Sequence, residues 1–242
     1  MTDLPFPPLT LVVAATHVSL GIGRAGRLPW RLPTDMAFFR LLTSAGTKPA
    51  VVMGRKSWES IPTRFRPLKD RVNIVLSRNT ADFGPGTLTF ASLPHALTAL
   101  STPASTPDST PPVSAVYIIG GAEIYRDALA HPATTRVILT TIYPPSAPTS
   151  NATPSVDPSN DNCTHCDQLA TTLGCDTFLP DFRTDSEWHR QPPTRLRALL
   201  TEMNCLEALA LVPPDGERVA ENGFEYEFAL WERSRPTGSD RS

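Results

Sequence analysis

The stretch Thr10-Leu11-Val12-Val13-Ala14-Ala15 is the first of five short runs that are apolar along almost their whole length. The other four occupy residues 50–53, 72–76, 115–119 and 136–140. β-Branched residues dominate these runs, and strands of this kind are buried on both faces of a sheet. The runs therefore predict the inner strands of a sheet that is covered on both sides.

Helix-like segments separate these strands at residues 35–43, 93–100 and 123–130. Strand and helix thus alternate as they do in parallel-sheet units. The segments 188–200 and 225–231 behave differently, and the second alternates charged and apolar residues as a half-exposed antiparallel strand does. The sequence predicts an α/β fold with a central, mostly parallel, twisted β-sheet, an antiparallel C-terminal edge, and helices on both faces.

Two segments interrupt the pattern. Residues 101–112 and 144–172 are rich in Pro, Ser and Thr and contain few apolar side chains to offset the entropy lost on ordering. A strand-like run precedes the second segment and Thr177-Phe178-Leu179-Pro180 follows it, so we predict surface insertions in one domain that spans 1–242. An interdomain linker is the alternative. We predict a flexible tail at 233–242.

The charge pattern excludes several classes of protein. The net charge is −2 and basic residues are scattered, unlike those of nucleic-acid or membrane-surface binders. Without a signal-peptide pattern or a bilayer-length apolar run, the chain is expected to be cytoplasmic. Its four cysteines form no dense framework, which favours a reducing compartment. Cys163-Thr164-His165-Cys166 lacks a second ligand pair, so no metal site is predicted.

The first candidate site follows the first strand. Closely spaced glycines, Gly21, Gly23 and Gly26, predict a mobile loop ahead of Leu28-Pro29-Trp30. Asp35 then falls in the first turn of a helix. It could simply cap that helix, as could Thr34. Alternatively, its apolar neighbours would raise its pKa and make it a proton-relay group.

Two further clusters lie where buried strands end and helices begin. Gly54-Arg55-Lys56-Ser57 and Gly120-Gly121-Ala122 would offer backbone N–H groups, and the first adds two cations. A solvated helix start and a tight turn are the alternatives. With Ser77-Arg78 at the end of another strand, the clusters indicate a phosphate-rich cofactor across the sheet edge.

Taken in order, these segments resemble the dihydrofolate reductase family. The matching segments include Leu-Pro-Trp-Arg-Leu-Pro-Thr-Asp-Met at residues 28–36, together with 21–23, 53–62, 66–78, 118–125 and 176–180. The ordered set is far more specific than any single segment. The residues of these motifs are similar to those of eukaryotic members, and Pro-rich insertions suit a fungal enzyme. The resemblance implies reduction of dihydrofolate to tetrahydrofolate with NADPH, in support of one-carbon metabolism.

The resemblance also implies the residues of the site. The catalytic residues would be Asp35, which orients the pterin, Trp30 and Thr140. Around the substrate we expect Val13, Ala15, Leu28, Phe39, Ile61, Leu68, Ile119 and Tyr125, with Arg71 on the glutamate tail. For the cofactor we expect Ala15, Ile22, Gly23, Gly54, Arg55, Lys56, Ser57, Leu76, Ser77, Arg78, Gly120, Gly121, Ala122, Glu123, Ile124 and Tyr125.

Two other functions remain open at this point. One is a reductase of the same architecture that acts on a riboflavin precursor, although that substrate has no glutamate tail for Arg71. The other is a catalytically silent folate- or nucleotide-binding protein, because a fold alone does not prove turnover. The expected ligands are dihydrofolate and antifolates, with neither nucleic acid nor membrane as a partner, and the expected state is a monomer.

Overall fold

A computed structural model describes residues 6–79, 82–101, 113–144 and 164–234, giving only the backbone for 164–167. The strands in this part of the chain are β1 Leu9–Thr16, β2 Gly21–Gly23, β3 Ala50–Gly54, β4 Val72–Leu76, β5 Thr87–Phe90, β6 Val116–Ile118, β7 Thr134–Tyr143, β8 Thr177–Phe178, β9 Trp188–Arg190, β10 Val219–Glu221 and β11 Phe224–Arg233. The helices are α1 Pro33–Thr43, α2 Arg55–Ser60, α3 Leu93–Ser101, α4 Ala122–Ala130, α5 Thr164–Thr172, α6 Pro193–Glu202 and α7 Leu206–Leu209, with a 3-10 turn at Thr63–Phe65.

The main sheet has the strand order β10-β11-β7-β1-β6-β3-β4-β5, and β9 also pairs with β11. Neighbours from β7 to β5 run parallel, whereas β11 is antiparallel to β7, β9 and β10. This arrangement confirms the predicted α/β class and its antiparallel C-terminal edge. Thr140 in β7 is opposite Ala14 of β1 on one side and Phe228 of β11 on the other.

Alternate residues of the inner strands face two separate cores, because side chains along a strand alternate between faces. On one face, Leu11 and Val13 of β1 share a core with residues of α3 and α4. On the other, Val12 shares a core with residues of α1, α6 and α7. The ring centroids of Phe38 and Phe228 lie 4.3 Å apart, which fixes α1 against β11. Helices therefore cover both faces, as predicted.

The structure alters the boundaries of the predicted insertions and tail. Within the predicted 144–172 insertion, Thr164–Thr172 forms α5, where Leu169 and Ala170 are buried. The surface assignment is therefore wrong for this helix, because its apolar side chains find a place in the core. Residues 145–163 and 102–112 lie outside the described part, as does the tail beyond 234. Arg233, the first residue of the predicted tail, ends β11.

Several short elements of the structure were not predicted from the sequence. The pair β2–β8, the edge strand β5 and helix α7 were not predicted, since two to four residues carry too little periodicity. The segment 188–200 divides into β9 and most of α6. Strands β7 and β11 lie on opposite sides of the second insertion in sequence and pair directly, so one sheet includes the chain on both sides of it.

The packing of α1 can be tested by shortening one leucine. Leu42 is fully buried between α1 and the sheet. Leu42→Ala should lower the free energy of unfolding by about 2–5 kcal/mol through lost contacts and a residual cavity. Urea denaturation would measure this. The same change at Leu206, which is 57% exposed, should cost less than about 0.5 kcal/mol; equal losses would contradict this packing.

Candidate active site

The carboxylate of Asp35 is bound to the middle of β7. The Thr140 hydroxyl donates a hydrogen bond to Asp35 Oδ1 at 2.7 Å, and the two residues are only 6% and 4% exposed. Helix α1 begins at Pro33 with Leu32 as its N-cap residue, and no side chain of the cap bonds the helix end. Asp35 is therefore not the cap of α1, and its carboxylate is available to the cleft.

Burial changes the acid strength of Asp35. Its pKa rises from the usual 3.8 to about 6, chiefly because removal from water disfavours the charged carboxylate. The Thr140 hydrogen bond acts in the opposite direction by stabilising the charge, and the nearby negative charge of Glu221 raises the pKa further. This carboxyl group thus changes its protonation state around pH 6, well above the range of an exposed aspartate.

A cleft of about 310 Å³ opens beside Asp35. Three of the residues predicted for the site line it: Leu28, Trp30 and Asp35. Met36 also lines it and, like Leu28, is 48% exposed. The indole Nε1 of Trp30 is buried and has no hydrogen-bond partner among the described residues. A buried donor of this kind usually binds a water molecule or a ligand.

The other predicted apolar residues divide between the two faces of the sheet. Phe39, Ile61, Leu68 and Ile119 are partly buried and pack against the core that includes Trp30. Val13 and Ala15 belong to the core on the opposite face. The structure therefore groups the first four residues with the Asp35 face and leaves Val13 and Ala15 behind the sheet.

Arg71 is held at the edge of the α1 face. Its Nη1 donates to Thr43 Oγ1 at 2.7 Å and its Nε donates to the Lys69 carbonyl oxygen at 2.9 Å. Partial burial lowers its pKa; the nearby Asp70 opposes this effect and Arg40 adds to it. Arg71 forms no ion pair with any acidic side chain in the described ranges. Its guanidinium can therefore donate hydrogen bonds to an external carboxylate.

The ends of β3 and β6 meet at the predicted phosphate site. The Gly54 N–H donates to the Gly120 carbonyl oxygen at 2.7 Å. Gly120 has a φ of +126°, which favours glycine, and its peptide bond to Gly121 is cis. A Cβ atom on either Gly120 or Gly121 would lie 3.2 Å from Ser57 Oγ. The two glycines therefore keep the backbone close to α2.

Helix α4 offers unpaired backbone donors at this place. Gly121 is its N-cap residue and provides no side-chain bond to the helix. The N–H groups of Ala122, Glu123 and Ile124 thus have no partner within the helix, as in every first helical turn. The Tyr125 N–H makes the first helical hydrogen bond, to the Gly121 carbonyl oxygen. The buried Tyr125 hydroxyl donates to the Val12 carbonyl oxygen at 2.9 Å. The arrangement can bind an anion.

Three cations follow the ends of β3 and β4, the next two strands of the sheet after β6, and one of them is already paired. Arg55 and Lys56 are exposed at the start of α2, and Arg55 Nη1 lies 2.8 Å from Glu59 Oε1. Arg78 is exposed after β4, next to Ser77, while Leu76 is buried at the strand end. Sequence reasoning did not identify the Arg55–Glu59 pair. An i to i+4 spacing of opposite charges was the available signal.

The glycine loop is tied to a distant segment. Gly23 lies in β2 beside β8, and its carbonyl oxygen accepts the Asp176 N–H at 3.0 Å. The Asp176 carboxylate accepts the Ala25 N–H at 2.7 Å. Ile22, the other predicted cofactor residue here, is partly buried and packs against the core of the α4 face. The loop therefore has a defined position beside the sheet.

Several residues around Asp35 were not predicted as members of the site. Arg31, Leu32, Pro33 and Met36 line the cleft because they flank Asp35 in the chain. Glu221 is different, because it comes from the C-terminal hairpin and bonds Thr34, 187 positions earlier. No local pattern could indicate it. A polar residue at a hairpin end is ordinarily explained by the turn alone.

No metal-binding cluster is present in the described ranges. They contain no group of three or more His, Cys, Asp and Glu side chains that could hold a metal ion. Cys163 and the side chain of Cys166 lie outside the described part of the chain. None of the described helices is both long and apolar enough to cross a bilayer.

Comparison with known proteins agrees with this geometry. The model of the family described as dihydrofolate reductase matches residues 8–172. The chain belongs to the dihydrofolate reductase family. The dihydrofolate reductase of Pneumocystis carinii is 34% identical over 233 residues, which cover 93% of this chain and 96% of the relative. That of Candida albicans is 34% identical over 233 residues, covering 94% and 98%.

A solved structure supports the same conclusion. Schistosoma mansoni dihydrofolate reductase has a TM-score of 0.62 and 28% identity, over 94% of this chain and 99% of that one. Together these matches confirm the dihydrofolate reductase-like fold and the eukaryotic, fungal-type family inferred from the motifs. Membership of this family confirms the predicted activity, which is the reduction of dihydrofolate to tetrahydrofolate. The family implies a nicotinamide cofactor.

The raised pKa of Asp35 predicts how stability depends on pH. The folded protein keeps a proton that the unfolded chain releases between pH 3.8 and about 6, so this carboxyl lowers stability as the pH rises through that window. Asp35→Asn removes the titration. Relative to wild type, the variant should therefore gain stability from pH 3.5 to pH 7, by up to about 3 kcal/mol.

Urea denaturation of both proteins across this pH range would measure the difference. Asp127→Asn is the matched control, since Asp127 is exposed on α4 and far from the cleft in the fold. Its difference from wild type should stay small throughout. If Asp35→Asn showed no more pH dependence than the control, Asp35 would not be a buried acid with a raised pKa.

Proposed function

We propose that this chain reduces 7,8-dihydrofolate to 5,6,7,8-tetrahydrofolate with NADPH, and that Asp35 is the acid that orients the pterin. The observation that carries the proposal is the buried hydrogen bond from Thr140 to Asp35, a residue that lines the cleft. A carboxyl group there can bind the paired N–H donors of a pterin amidine edge. Its geometry is fixed because the partner is in the middle of a strand.

The proton needed at N5 is the chemical problem of this reaction. Asp35 binds the opposite edge of the pteridine, so its negative charge would raise the basicity of N5 through the ring system. Water would then deliver the proton at the side of the cleft formed by Trp30, whose indole N–H has no partner in the described residues. General acid–base assistance of this kind contributes about 10²–10⁴ in rate.

The remaining substrate contacts follow from the faces of the sheet. Phe39, Ile61, Leu68 and Ile119 would enclose the aromatic parts of dihydrofolate, with Leu28 at the mouth. Arg71 would pair with the α-carboxylate of the glutamate tail, because a guanidinium matches a carboxylate with two parallel hydrogen bonds. Val13 and Ala15 would contribute through their backbone beside the pterin. Antifolates that share this amidine edge would occupy the same cleft.

The residues present fit a phosphate-rich cofactor at the strand ends. The open N–H groups of α4, together with Gly120 and Gly121, would hold the pyrophosphate. The neighbouring phosphates would be bound by Lys56 and Ser57. The 2′-phosphate, which distinguishes NADPH from NADH, would be bound by Arg55, Ser77 and Arg78. When bound, NADPH supplies the hydride that reduces pterin C6. Tyr125, Ile22 and Gly23 would border the nicotinamide.

One assay separates this proposal from the alternatives. We expect loss of NADPH absorbance when dihydrofolate is added, and an antifolate should block it. A silent binding protein would bind both ligands without turnover, and a riboflavin-precursor reductase would be inactive with dihydrofolate. Either of those results would contradict the proposal. A single domain over 1–242, a monomeric state and a cytoplasmic location remain predictions.

The role of Arg71 predicts a selective loss of substrate affinity. Arg71→Leu should raise the Kd of dihydrofolate by about 10- to 100-fold, the value of a charge-assisted pair. A dihydropterin without the glutamate tail should bind equally well to both proteins. Arg126→Leu, the same change at an exposed position of α4, should leave both affinities as in wild type. Equal weakening of both ligands by Arg71→Leu would contradict the tail contact.

The Arg55–Glu59 pair predicts that Glu59 weakens cofactor binding. Both side chains are about half exposed, so their interaction is worth at most about 1 kcal/mol. Glu59→Gln should release Arg55 for the 2′-phosphate and tighten NADPH binding up to about 5-fold, with NADH unaffected. Fluorescence titration would measure both. Glu202→Gln is the control, since Glu202 pairs with Arg195 on α6; a matching gain there would contradict the proposal.

A further inference from the structure

Glu221, the last residue of β10, is bound to the residue that precedes Asp35. Its carboxylate accepts the Thr34 N–H at 3.1 and 3.3 Å and the Thr34 hydroxyl at 3.0 Å. The Tyr226 hydroxyl of β11 also donates to it, at 3.3 Å. Three donor groups thus hold a half-buried carboxylate against the first turn of α1.

This contact replaces a missing helix cap. The N-cap residue of α1 is Leu32, whose side chain cannot accept a hydrogen bond. The first N–H groups of a helix need acceptors, and a negative charge is favoured there by the helix dipole. Glu221 fulfils both needs from a hairpin 187 residues away in sequence. It therefore fixes the backbone from which the Asp35 side chain extends.

The charge of Glu221 also acts on Asp35. The groups that face Asp35 are Thr140 from β7, Glu221 from β10 and Tyr226 from β11, while Arg31 lines the same cleft. No ion pair to either carboxylate is present in the described residues. Glu221 therefore opposes ionisation of Asp35, in addition to the larger effect of burial.

We propose that Glu221 is a positioning residue for Asp35, which holds Thr34 and the first turn of α1 in place and whose negative charge favours the protonated form of the acid. This inference rests on the proposed role of Asp35 in dihydrofolate reduction. Glu221 itself need not touch the substrate. Its effect passes through the backbone at Thr34 and through the electric field at the neighbouring carboxyl.

Glu221→Gln tests the charge while keeping an oxygen that can accept from Thr34. In the unliganded protein, the Asp35 carboxyl carbon, followed by ¹³C NMR, should titrate about 0.5–1 pH unit lower than in wild type, because a like charge has been removed. The pH dependence of kcat/KM for dihydrofolate should move in the same direction. Glu221→Asp, which retains the charge, should restore the titration towards wild type.

Asn222→Ala is the matched control from the same hairpin. The Asn222 side-chain amide donates to the Arg31 carbonyl oxygen at 2.8 Å. This variant therefore removes a hydrogen bond between the same hairpin and a residue of the cleft without changing a charge. It should leave the Asp35 titration as in wild type. An unchanged titration in Glu221→Gln, or an equal shift in Asn222→Ala, would overturn the inference.

The proposed function and this inference can fail separately. If wild type did not reduce dihydrofolate, the proposed function would be wrong, whereas the NMR comparison would still decide whether Glu221 tunes Asp35. If wild type reduced dihydrofolate but Glu221→Gln left both the titration and the pH profile unchanged, only the inference would be wrong.

Discussion

The hydrogen bond from Thr140 to Asp35 is the contact on which the site depends. It joins the first turn of α1 to the middle of β7, the strand where the sheet changes from parallel to antiparallel. An acid with so little exposure destabilises the folded protein when it is ionised, and one hydroxyl compensates only in part. Burial of this carboxyl is therefore consistent with the binding role that we propose for it.

The proposed substrate and cofactor sites lie at different parts of the sheet. The α1 face holds the acid, the cleft and Arg71, while the ends of β3 and β6 hold the glycines and the start of α4. A substrate on that face and a cofactor at the strand ends would meet above the sheet edge. This is where open α/β sheets commonly bind ligands, because helix starts and strand ends converge there.

The sequence predicted those parts of the fold that have a strong repeating pattern. The inner strands and the helices α1, α3 and α4 were recognisable because their apolar residues form long or continuous patterns. The pair β2–β8 and the helix α7 were too short, and α5 lies in a tract whose composition indicated disorder. In α5, Leu169 and Ala170 are buried in the core. Their burial stabilises a helix that the average composition of the tract did not indicate.

The site was predictable to the extent that its residues lie in ordered motifs. The pattern around Asp35 could not separate a helix cap from a buried acid, because the deciding partner, Thr140, is 105 positions away. For the same reason Glu221 was missed altogether. The sequence also grouped Val13 and Ala15 with the other ring contacts, whereas the structure places their side chains in the core on the opposite face. A single sequence does not show which residues of a buried strand face which core.

The most direct test of the account is the rate of hydride transfer in a single turnover, measured against pH in wild type and Asp35→Asn. If Asp35 orients the pterin and raises the basicity of N5, the variant should be slower by about 10²-fold or more at pH 7. Its deficit should narrow at low pH, where solvent can protonate N5 directly. Equal rates with the same pH dependence in both proteins would contradict the central role of Asp35.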